Sequence, residues 1–173
     1  MPAQRKGQSM ELLTIIKDTQ RKHSEMWNWI AEQSERNKSG VCKSEYFSTF
    51  GIDEKPVYFC WCCEFVSGVQ NLIGIPSVGV GCELCPVKDW EEKNSGSLHP
   101  PCVRGLYGTW LKSVNKLDYK KTAKIARKIA NLQFAERLNI TAEQAKSLID
   151  AGYEDIFILE QLDTAERTKY GCK

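Results

Sequence analysis

Four cysteines in two C-x-x-C pairs are the residues of this chain with the clearest chemistry. Cys60 and Cys63 form the first pair, Cys82 and Cys85 form the second, and eighteen residues separate the two pairs. A two-residue spacer lets both sulfurs of one turn reach a single ion, and two such turns complete the tetrahedral thiolate shell that zinc prefers. The spacing therefore predicts a structural Zn²⁺ site with no open position for a substrate.

Neighbouring residues leave alternatives open for the ligand set. Cys62 could replace Cys63, although its side chain is expected to point the other way along the turn. His99 and Cys102 form a further pair with a two-residue spacer, which could substitute for a cysteine or bind a second ion. We therefore keep His99 and Cys102 as alternate ligands beside the four-cysteine site.

A redox function of the cysteine pairs is the main alternative to zinc binding. Cys82 and Cys85 could cycle between two thiols and a disulfide, but a redox pair usually stands at a helix N-terminus after a buried strand. The residues before Cys82 are Gly79-Val80-Gly81, which do not predict a strand. A redox function of the second pair also leaves the first pair unexplained, so zinc is the preferred interpretation.

The chain contains no motif that we recognise as catalytic. Neither of its two histidines, His23 and His99, begins the H-x-E that precedes P-C-x-x-C in zinc deaminases. Phosphate-binding glycine motifs and a nucleophile elbow are also missing from the sequence. His23 lies on the apolar side of a predicted helix, where a packed and satisfied imidazole is expected. We predict that the protein is not an enzyme.

Length and composition indicate a globular protein kept in a reducing compartment. The 173 residues suit one domain or a domain with a small appendage, and five Trp, six Tyr and six Phe are enough to anchor a core. No apolar run approaches the ~20 residues of a membrane-spanning helix, and the N-terminus does not resemble a signal peptide. Eight cysteines in such a protein favour metal binding over disulfides. Cys42 and Cys172 stand apart and are expected to be free or buried thiols.

A predicted helix from Tyr119 to about Leu138 carries the best candidate for a binding surface. It has no acidic residue between Tyr119 and Ala135. At about 100° per residue, its basic side chains fall within about 120° of arc. Such a stripe suits a polyanion, either a phosphate backbone or an acidic protein surface. The basic residues are Lys120, Lys121, Lys124, Arg127 and Lys128.

The simplest interpretation of this stripe assigns it no binding function: it is a solvated face, or a face that docks on acidic residues of the same chain. Residues 104–139 carry a net charge of +7, whereas residues 140–166 carry −6. The two segments could simply attract each other. Acidic residues available for such docking are Glu154, Asp155, Glu160 and Asp163.

The elements that must position these groups are mostly helical. Apolar residues at spacings of three and four predict a long helix from Ser9 to Lys38 and a short one from Leu106 to Val114. Two acidic helices are predicted at 141–151 and 154–162. Val57–Phe59 suits a short strand, and the glycines between 68 and 81 predict a loop or small hairpin.

The predicted fold class is mainly α, formally α+β with minor β structure. It has a zinc-knuckle or zinc-ribbon-like centre, braced by the long N-terminal helix and by C-terminal helices. We divide the chain into the N-terminal helix at 1–40, a zinc-binding core with the basic helix at 41–139, and an acidic helical pair at 140–173.

Several short motifs resemble a group of small cysteine-rich proteins encoded by tailed bacteriophages, most of them uncharacterised. The resemblance covers roughly residues 57–133. It implies an origin in a phage and a location in the cytoplasm of an infected bacterium. The motifs are Cys60-x-x-Cys63-Glu64-Phe65, Cys82-x-x-Cys85-Pro86-Val87, Cys102-x-x-Gly105-Leu106-Tyr107-Gly108-x-Trp110 and Ala126-Arg127-Lys128-Ile129-Ala130-Asn131-Leu132.

Two functional hypotheses follow from the sequence. The first is a non-catalytic phage accessory protein that binds a host or phage protein and so inhibits a host defence or another host process, an analogy drawn from small phage proteins. The second is a zinc-braced nucleic-acid-binding protein that uses the basic helix at 119–138. Trp61, Trp90 and Trp110 are candidate contacts, with Trp61 first. The sequence does not define an oligomeric state.

Overall fold

The structure is a computed structural model, and its described part is mainly α-helical, as predicted. It contains seven helices. The structure describes residues 12–53, 60–72, 84–90, 101–135 and 140–152. Within these ranges, the β structure is an isolated antiparallel bridge between Val87 and Phe134. The helices are α1 (Leu12–Asn37), α2 (Lys43–Thr49), α3 (Trp61–Leu72), α4 (Pro101–Arg104), α5 (Leu106–Asn115), α6 (Tyr119–Ala130) and α7 (Ala142–Asp150).

The long N-terminal helix is confirmed as α1 and forms the backbone of the core. Its apolar stripe is buried, with Met26 and Ile30 fully inaccessible to solvent and Trp27 nearly so. This stripe packs most extensively on α6. The outer side of α1 remains polar, and Arg21 there bridges Asp18 and Glu25.

Helix α6 begins where the sequence predicted and ends earlier. The Asp118 side chain accepts a hydrogen bond from the Lys121 N–H (3.1 Å), which caps the helix N-terminus. The helix stops at Ala130 instead of about Leu138. The Asn131 side chain donates to the Arg127 carbonyl (2.8 Å), and Phe134 then pairs with Val87. This pairing draws the chain away from the helical path.

Helix α3 extends into the stretch at 68–81 that we predicted to be a loop or small hairpin, so that prediction was wrong for residues 68–72. Cys62, Phe65, Val66 and Val69 are buried and recur at spacings of three and four, which is the period of one helical face. Gly68 lies on the exposed side, where a glycine costs only about 1 kcal/mol in helix propensity.

Residues 84–90 connect the second cysteine pair to the rest of the fold through backbone hydrogen bonds. On one side Lys88 N–H donates to the Gln133 carbonyl (3.0 Å). On the other side Leu106 N–H donates to the Trp90 carbonyl (2.8 Å). Gly105 permits this second approach, because a Cβ at that position would overlap with the Trp90 carbonyl group.

An aromatic cluster lies at the centre of the fold. The Trp27 and Trp110 rings meet edge to face with centroids 5.0 Å apart, and Tyr107 stacks on Trp110. The buried apolar cluster is continuous from Ile16 in α1 to Ile149 in α7. Residues of all three predicted segments therefore contribute to one core.

Some of the remaining predicted elements are confirmed, and others lie outside the described residues. Helix α5 matches the predicted short helix, and α7 begins at a capping box formed by Thr141 and Gln144, as its sequence indicated. The predicted strand at 57–59 and the predicted helix at 154–162 lie outside the described residues. None of the described helices combines the length and apolar character needed to cross a membrane.

Candidate functional site

The first cysteine pair stands at the N-terminus of α3. The Cys60 carbonyl accepts the Glu64 N–H (3.0 Å), which makes Cys60 the residue that precedes the helix. Hydrogen bonds from the thiols of Cys62 and Cys63, and from the Cys63 N–H, hold the pKa of Cys60 well below its usual range. The hydrogen bond to Cys60, together with burial, raises the pKa of Cys63. Cys60 is therefore the more anionic member of the pair.

Three further thiols surround this pair. Cys62 lies within hydrogen-bonding reach of the sulfurs of both Cys60 and Cys85, and its pKa is raised well above the usual range by these contacts and by burial. The hydrogen bond from Cys62 lowers the pKa of Cys85. Cys102 is close enough to raise the pKa of Cys63. The name thiol cluster is used below for Cys60, Cys62, Cys63, Cys85 and Cys102.

The thiol cluster contains three of the four predicted zinc ligands, Cys60, Cys63 and Cys85. Cys82 and the alternate ligand His99 lie outside the described residues, whereas the alternate Cys102 is in the cluster. In the described part of the chain, no group of three or more Cys, His, Asp or Glu side chains has the geometry to hold a metal ion. The donor chemistry fits zinc, but a coordination shell needs at least Cys82 in addition.

The orientation of Cys62 differs from our expectation. Its side chain was predicted to point away from the pair, yet it is 1% exposed and lies between Cys60 and Cys85. The second residue of a helix can face the core when the helix lies against another element, and α3 lies against α1. This orientation could not be read from spacing alone.

His23 connects the thiol cluster to α6. Its Nε2 lies 3.0 Å from the carbonyl oxygen of Ile129, and its Nδ1 lies 3.5 Å from Cys62 Sγ. A carbonyl can only accept, so Nε2 carries the proton and Nδ1 is an acceptor facing the Cys62 thiol. Burial lowers the pKa of His23, which keeps the ring neutral. The prediction of a packed, satisfied imidazole is confirmed.

Lys43 is a site residue that sequence reasoning missed. Its positive charge contributes to lowering the pKa of Cys60, and its Nζ lies 4.4 Å from the centre of the Tyr107 ring. No sequence signal connects Lys43 with a cysteine seventeen positions away. Only the packing of α2 onto α1 brings the ammonium group near the first turn of α3.

The three candidate tryptophans have different environments. Trp90 and Trp110 are buried, so we no longer consider them surface contacts. Trp61 is half-buried, its ring centre lies 5.5 Å from that of Phe47, and Lys22 Nζ lies 5.2 Å above it. Trp61 therefore contributes to packing and remains partly exposed.

The basic stripe of α6 lies at the surface, and Arg127 makes an ion pair there. Arg127 makes a two-pronged ion pair with Glu35 of α1, with both N···O distances at 2.6 Å. This contact lowers the pKa of Glu35 and raises that of Arg127. Lys120, Lys121, Lys124 and Lys128 are all exposed. The acidic partner of Arg127 thus comes from α1, whereas the acidic residues at 154–163 lie outside the described ranges.

Two shallow grooves flank the row formed by Lys120, Lys124 and Lys128, which we call the lysine ridge. One groove, of about 520 Å³, lies towards α5 and has Leu106 and Ile125 in its wall. The other, of about 450 Å³, lies towards α1 and includes Glu35 and Leu132. All three lysines line both grooves. The ridge therefore combines positive charge with apolar surface on either side.

No protein-family model, no curated protein and no solved structure matches this chain. The thiol cluster and the lysine ridge are therefore the basis of the functional interpretation.

Proposed function

We propose that this protein is a non-catalytic binding protein whose lysine ridge receives an acidic segment of another protein. The observation that carries the proposal is the row of Lys120, Lys124 and Lys128, one helical turn apart, between two grooves with apolar walls. Such a ridge matches a segment in which acidic side chains alternate with apolar ones.

Negative charges beside the ridge favour a protein partner over a nucleic acid. Glu35 is held at the groove by Arg127, Asp118 lines the groove on the other side, and Glu32 lies close enough to act on Arg127. A phosphate backbone is uniformly anionic and would be repelled by these carboxylates. A protein segment can place its own apolar or basic residues opposite them.

We further propose that a structural Zn²⁺ braces the fold, held by Cys60, Cys63, Cys82 and Cys85. Bound zinc would supply a cross-link between the first turn of α3 and the loop that contains Cys85. The electrostatic effect of both Cys60 and Cys85 on Cys63 supports this proposal. Elemental analysis of purified, reduced protein should give one zinc per chain, and zinc-free folded protein would overturn it.

The resemblance to small phage proteins indicates where the partner protein would come from. In that setting the acidic segment belongs to a host or phage protein in the bacterial cytoplasm. Because a non-catalytic protein acts only by occupying a surface, the expected consequence is inhibition of the host process in which the partner takes part.

Binding of defined probes by charge-reversal variants tests the proposal. The probes are a peptide of alternating glutamate and leucine, a glutamate-only peptide and duplex DNA, each followed by fluorescence anisotropy. Reversing all three ridge lysines to glutamate should weaken binding of the mixed peptide at least tenfold. The matched control reverses three other lysines, Lys17, Lys112 and Lys116, which are exposed and line neither groove.

The pattern across probes separates the two hypotheses. Preference for the mixed peptide, lost only in the ridge variant, supports a protein partner. Duplex DNA binding that exceeds peptide binding and falls steeply with salt would instead favour the nucleic-acid alternative. Equal effects of the ridge and control variants would show that total charge, not the ridge, is responsible, and would refute both.

A further inference from the structure

The turn between α5 and α6 contains an exposed leucine in a backbone conformation that leucine rarely adopts. The Leu117 N–H donates to the Val114 carbonyl (2.9 Å). The Asp118 N–H donates to the Ser113 carbonyl (3.0 Å). These two bonds form the Schellman motif that ends α5, in which glycine usually occupies the position of Leu117. Leu117 has φ +55° and is 78% exposed, so both the backbone and the solvent disfavour a leucine here.

Packing within the chain does not account for this leucine. Leu117 directly precedes the N-cap Asp118, and an apolar residue there often packs on the fourth residue of the helix, which is Thr122. Thr122 is buried and polar instead. Its hydroxyl donates to the Asp118 carbonyl (2.8 Å) and lies 3.0 Å from the Ser113 hydroxyl. The exposed Leu117 side chain is therefore accessible to a ligand.

Leu117 lies at one end of the lysine ridge. It is three positions before Lys120, so the two Cα atoms are at most about 11 Å apart. Lys120 and Lys121 stand in the first turn of α6, which has no acidic residue and where the helix end disfavours further cations. Leu106 and Ile125 in the groove wall are each only 6% exposed. Leu117 therefore offers a ligand more apolar surface than this wall does.

We propose that Leu117 is the apolar anchor of the lysine ridge, and that the partner is an acidic protein segment with a bulky apolar side chain next to its carboxylates. This inference rests on the proposed function and specifies its ligand. Several locally unfavourable features at one point of a fold are expected where function requires them. Contact with an apolar side chain removes the exposed surface of Leu117 from water, and the ridge receives the adjoining carboxylates.

The length of the ridge defines the length of the acidic run. Lys120 and Lys128 are eight positions apart in one helix, which is about 12 Å along its axis. An extended segment covers that distance with about four residues. The expected ligand therefore has about four acidic residues, with the apolar side chain directly beside them at the end that meets Leu117.

An exposed leucine beside lysines also suits an anionic membrane surface. The exposed Asp118 directly follows Leu117, and its carboxylate would meet lipid phosphate groups of the same charge. A protein segment can place a donor group opposite this carboxylate. The charges beside Leu117 therefore favour a protein partner.

Anisotropy titrations of the full chain with two synthetic peptides test the anchor. One peptide has four glutamates with two leucines at each end, and the other has serines in place of the leucines. The wild type should bind the leucine peptide at least about fivefold more tightly. Leu117→Asn should lose this preference, because asparagine tolerates a positive φ but is polar. Leu117→Met should keep it, and so should the matched control Val103→Asn, which removes another exposed aliphatic side chain.

Thermal unfolding of the same variants separates an anchor from a residue that the fold requires. Leu117→Asn should leave the thermal midpoint unchanged or raise it by up to about 4 °C, because it relieves the backbone conformation. A lowered midpoint would show that Leu117 supports the fold, and would overturn the anchor.

The remaining outcomes distinguish this inference from the proposed function. If Leu117→Asn keeps the preference for leucine while the ridge variant loses binding, the anchor is refuted and the proposed function stands. Loss of the preference in Val103→Asn as well would also refute the anchor. If the wild type binds neither peptide, both proposals fail. Binding to phosphatidylglycerol vesicles that depends on Leu117, without any preference between the peptides, would assign Leu117 to a membrane surface and overturn the inference.

Discussion

His23 holds three helices together through the two nitrogens of one ring. Its Nε2–H binds the carbonyl of Ile129 at the end of α6, and its Nδ1 faces Cys62 in the first turn of α3. Phe134 and Trp90 pack edge-on against the ring. The imidazole must be neutral to make both polar contacts, because a protonated Nδ1 could not accept a hydrogen bond.

The buried neutral state of His23 predicts a pH-dependent stability. The pKa of His23 is lowered in the folded protein, so below about 6.5 the unfolded chain binds a proton that the folded chain does not. The contribution of His23 to the free energy of unfolding therefore has its full value above about pH 6.5. It decreases as the pH falls from there towards the pKa of His23 in the folded protein.

Urea unfolding at pH 7.5 and pH 5.5, for the wild type and His23→Gln, measures this effect. The variant should be less stable at pH 7.5 by about 1–3 kcal/mol, because it disturbs buried hydrogen bonds. Its stability should also change less between the two pH values than that of the wild type. Equal pH dependence in both proteins would contradict the assignment to His23, and acid release of metal would then be the explanation.

Gly105 offers a second test at the level of one residue. A Cβ at this position would overlap with the backbone of Trp90, and the Leu106–Trp90 hydrogen bond leaves no room for the chains to separate. Gly105→Ala should lower the free energy of unfolding by about 2–3 kcal/mol.

Gly68→Ala is the matched control for this substitution. Gly68 is exposed within α3, and nothing lies within 4 Å of a Cβ added there. This variant should be neutral or more stable by up to about 1 kcal/mol, because alanine favours a helix over glycine. Similar thermal midpoints for the two variants would show that the contact between Gly105 and Trp90 does not constrain the fold.

At the scale of elements, helices with a regular apolar period could be predicted from the sequence. Where a loop signal and a helical period coincide, the sequence alone does not decide between them. Helices α1, α5 and α7 were predicted from apolar period and capping residues, which act locally. Helix α3 was missed because a C-x-x-C motif and Gly68 outweighed the period of Phe65 and Val69. The early end of α6 depends on pairing between Phe134 and Val87, which no local pattern encodes.

The ion pair between α1 and α6 predicts how the lysine ridge selects partners. Arg127 is neutralised by Glu35, so Glu35→Gln should leave one additional cation beside the ridge. We expect several-fold tighter binding of duplex DNA at low salt and a steeper salt dependence, by about 0.9 in the logarithmic slope. Preference for the mixed glutamate–leucine peptide should decrease.

Anisotropy titrations at several salt concentrations measure this change. Glu25→Gln serves as the control, since it removes the same charge from the same helix where Glu25 pairs with Arg21. If both variants bind DNA equally well, net charge alone sets the affinity. The Arg127–Glu35 pair then does not influence the choice between DNA and the mixed peptide.

At the scale of the whole molecule, the site depends on contacts that spacing cannot reveal. The spacing predicted that Cys60, Cys63 and Cys85 share one site, and Cys63 lies close enough to Cys60 and Cys85 for their charges to act on it. The approach of Cys102 and Lys43 depends instead on how α4 and α2 dock against their neighbours. Both residues are distant from Cys60 along the chain, so only the assembled core specifies their positions.

Removal of the proposed zinc ion should therefore destabilise more of the protein than the thiol cluster. The loop that contains Cys85 is bonded to Gln133 after α6 and to Leu106 in α5, and the core is continuous between these elements. A cross-link from this loop to α3 would stabilise one cooperative unit. Chelation should lower the thermal midpoint by about 10 °C or more in a single transition, given about 2–4 °C per kcal/mol for a chain of this size.

Calorimetry of wild type, Cys85→Ser and Cys42→Ser with and without chelator tests this cooperativity. Cys85→Ser should resemble the chelated wild type and gain nothing from added zinc, while Cys42→Ser should resemble the untreated wild type. Two separate transitions after chelation would mean that the thiol cluster braces only a local segment. An unchanged midpoint despite complete loss of zinc would mean that the helical core alone supports the fold, because the metal would then contribute less free energy than the measurement resolves.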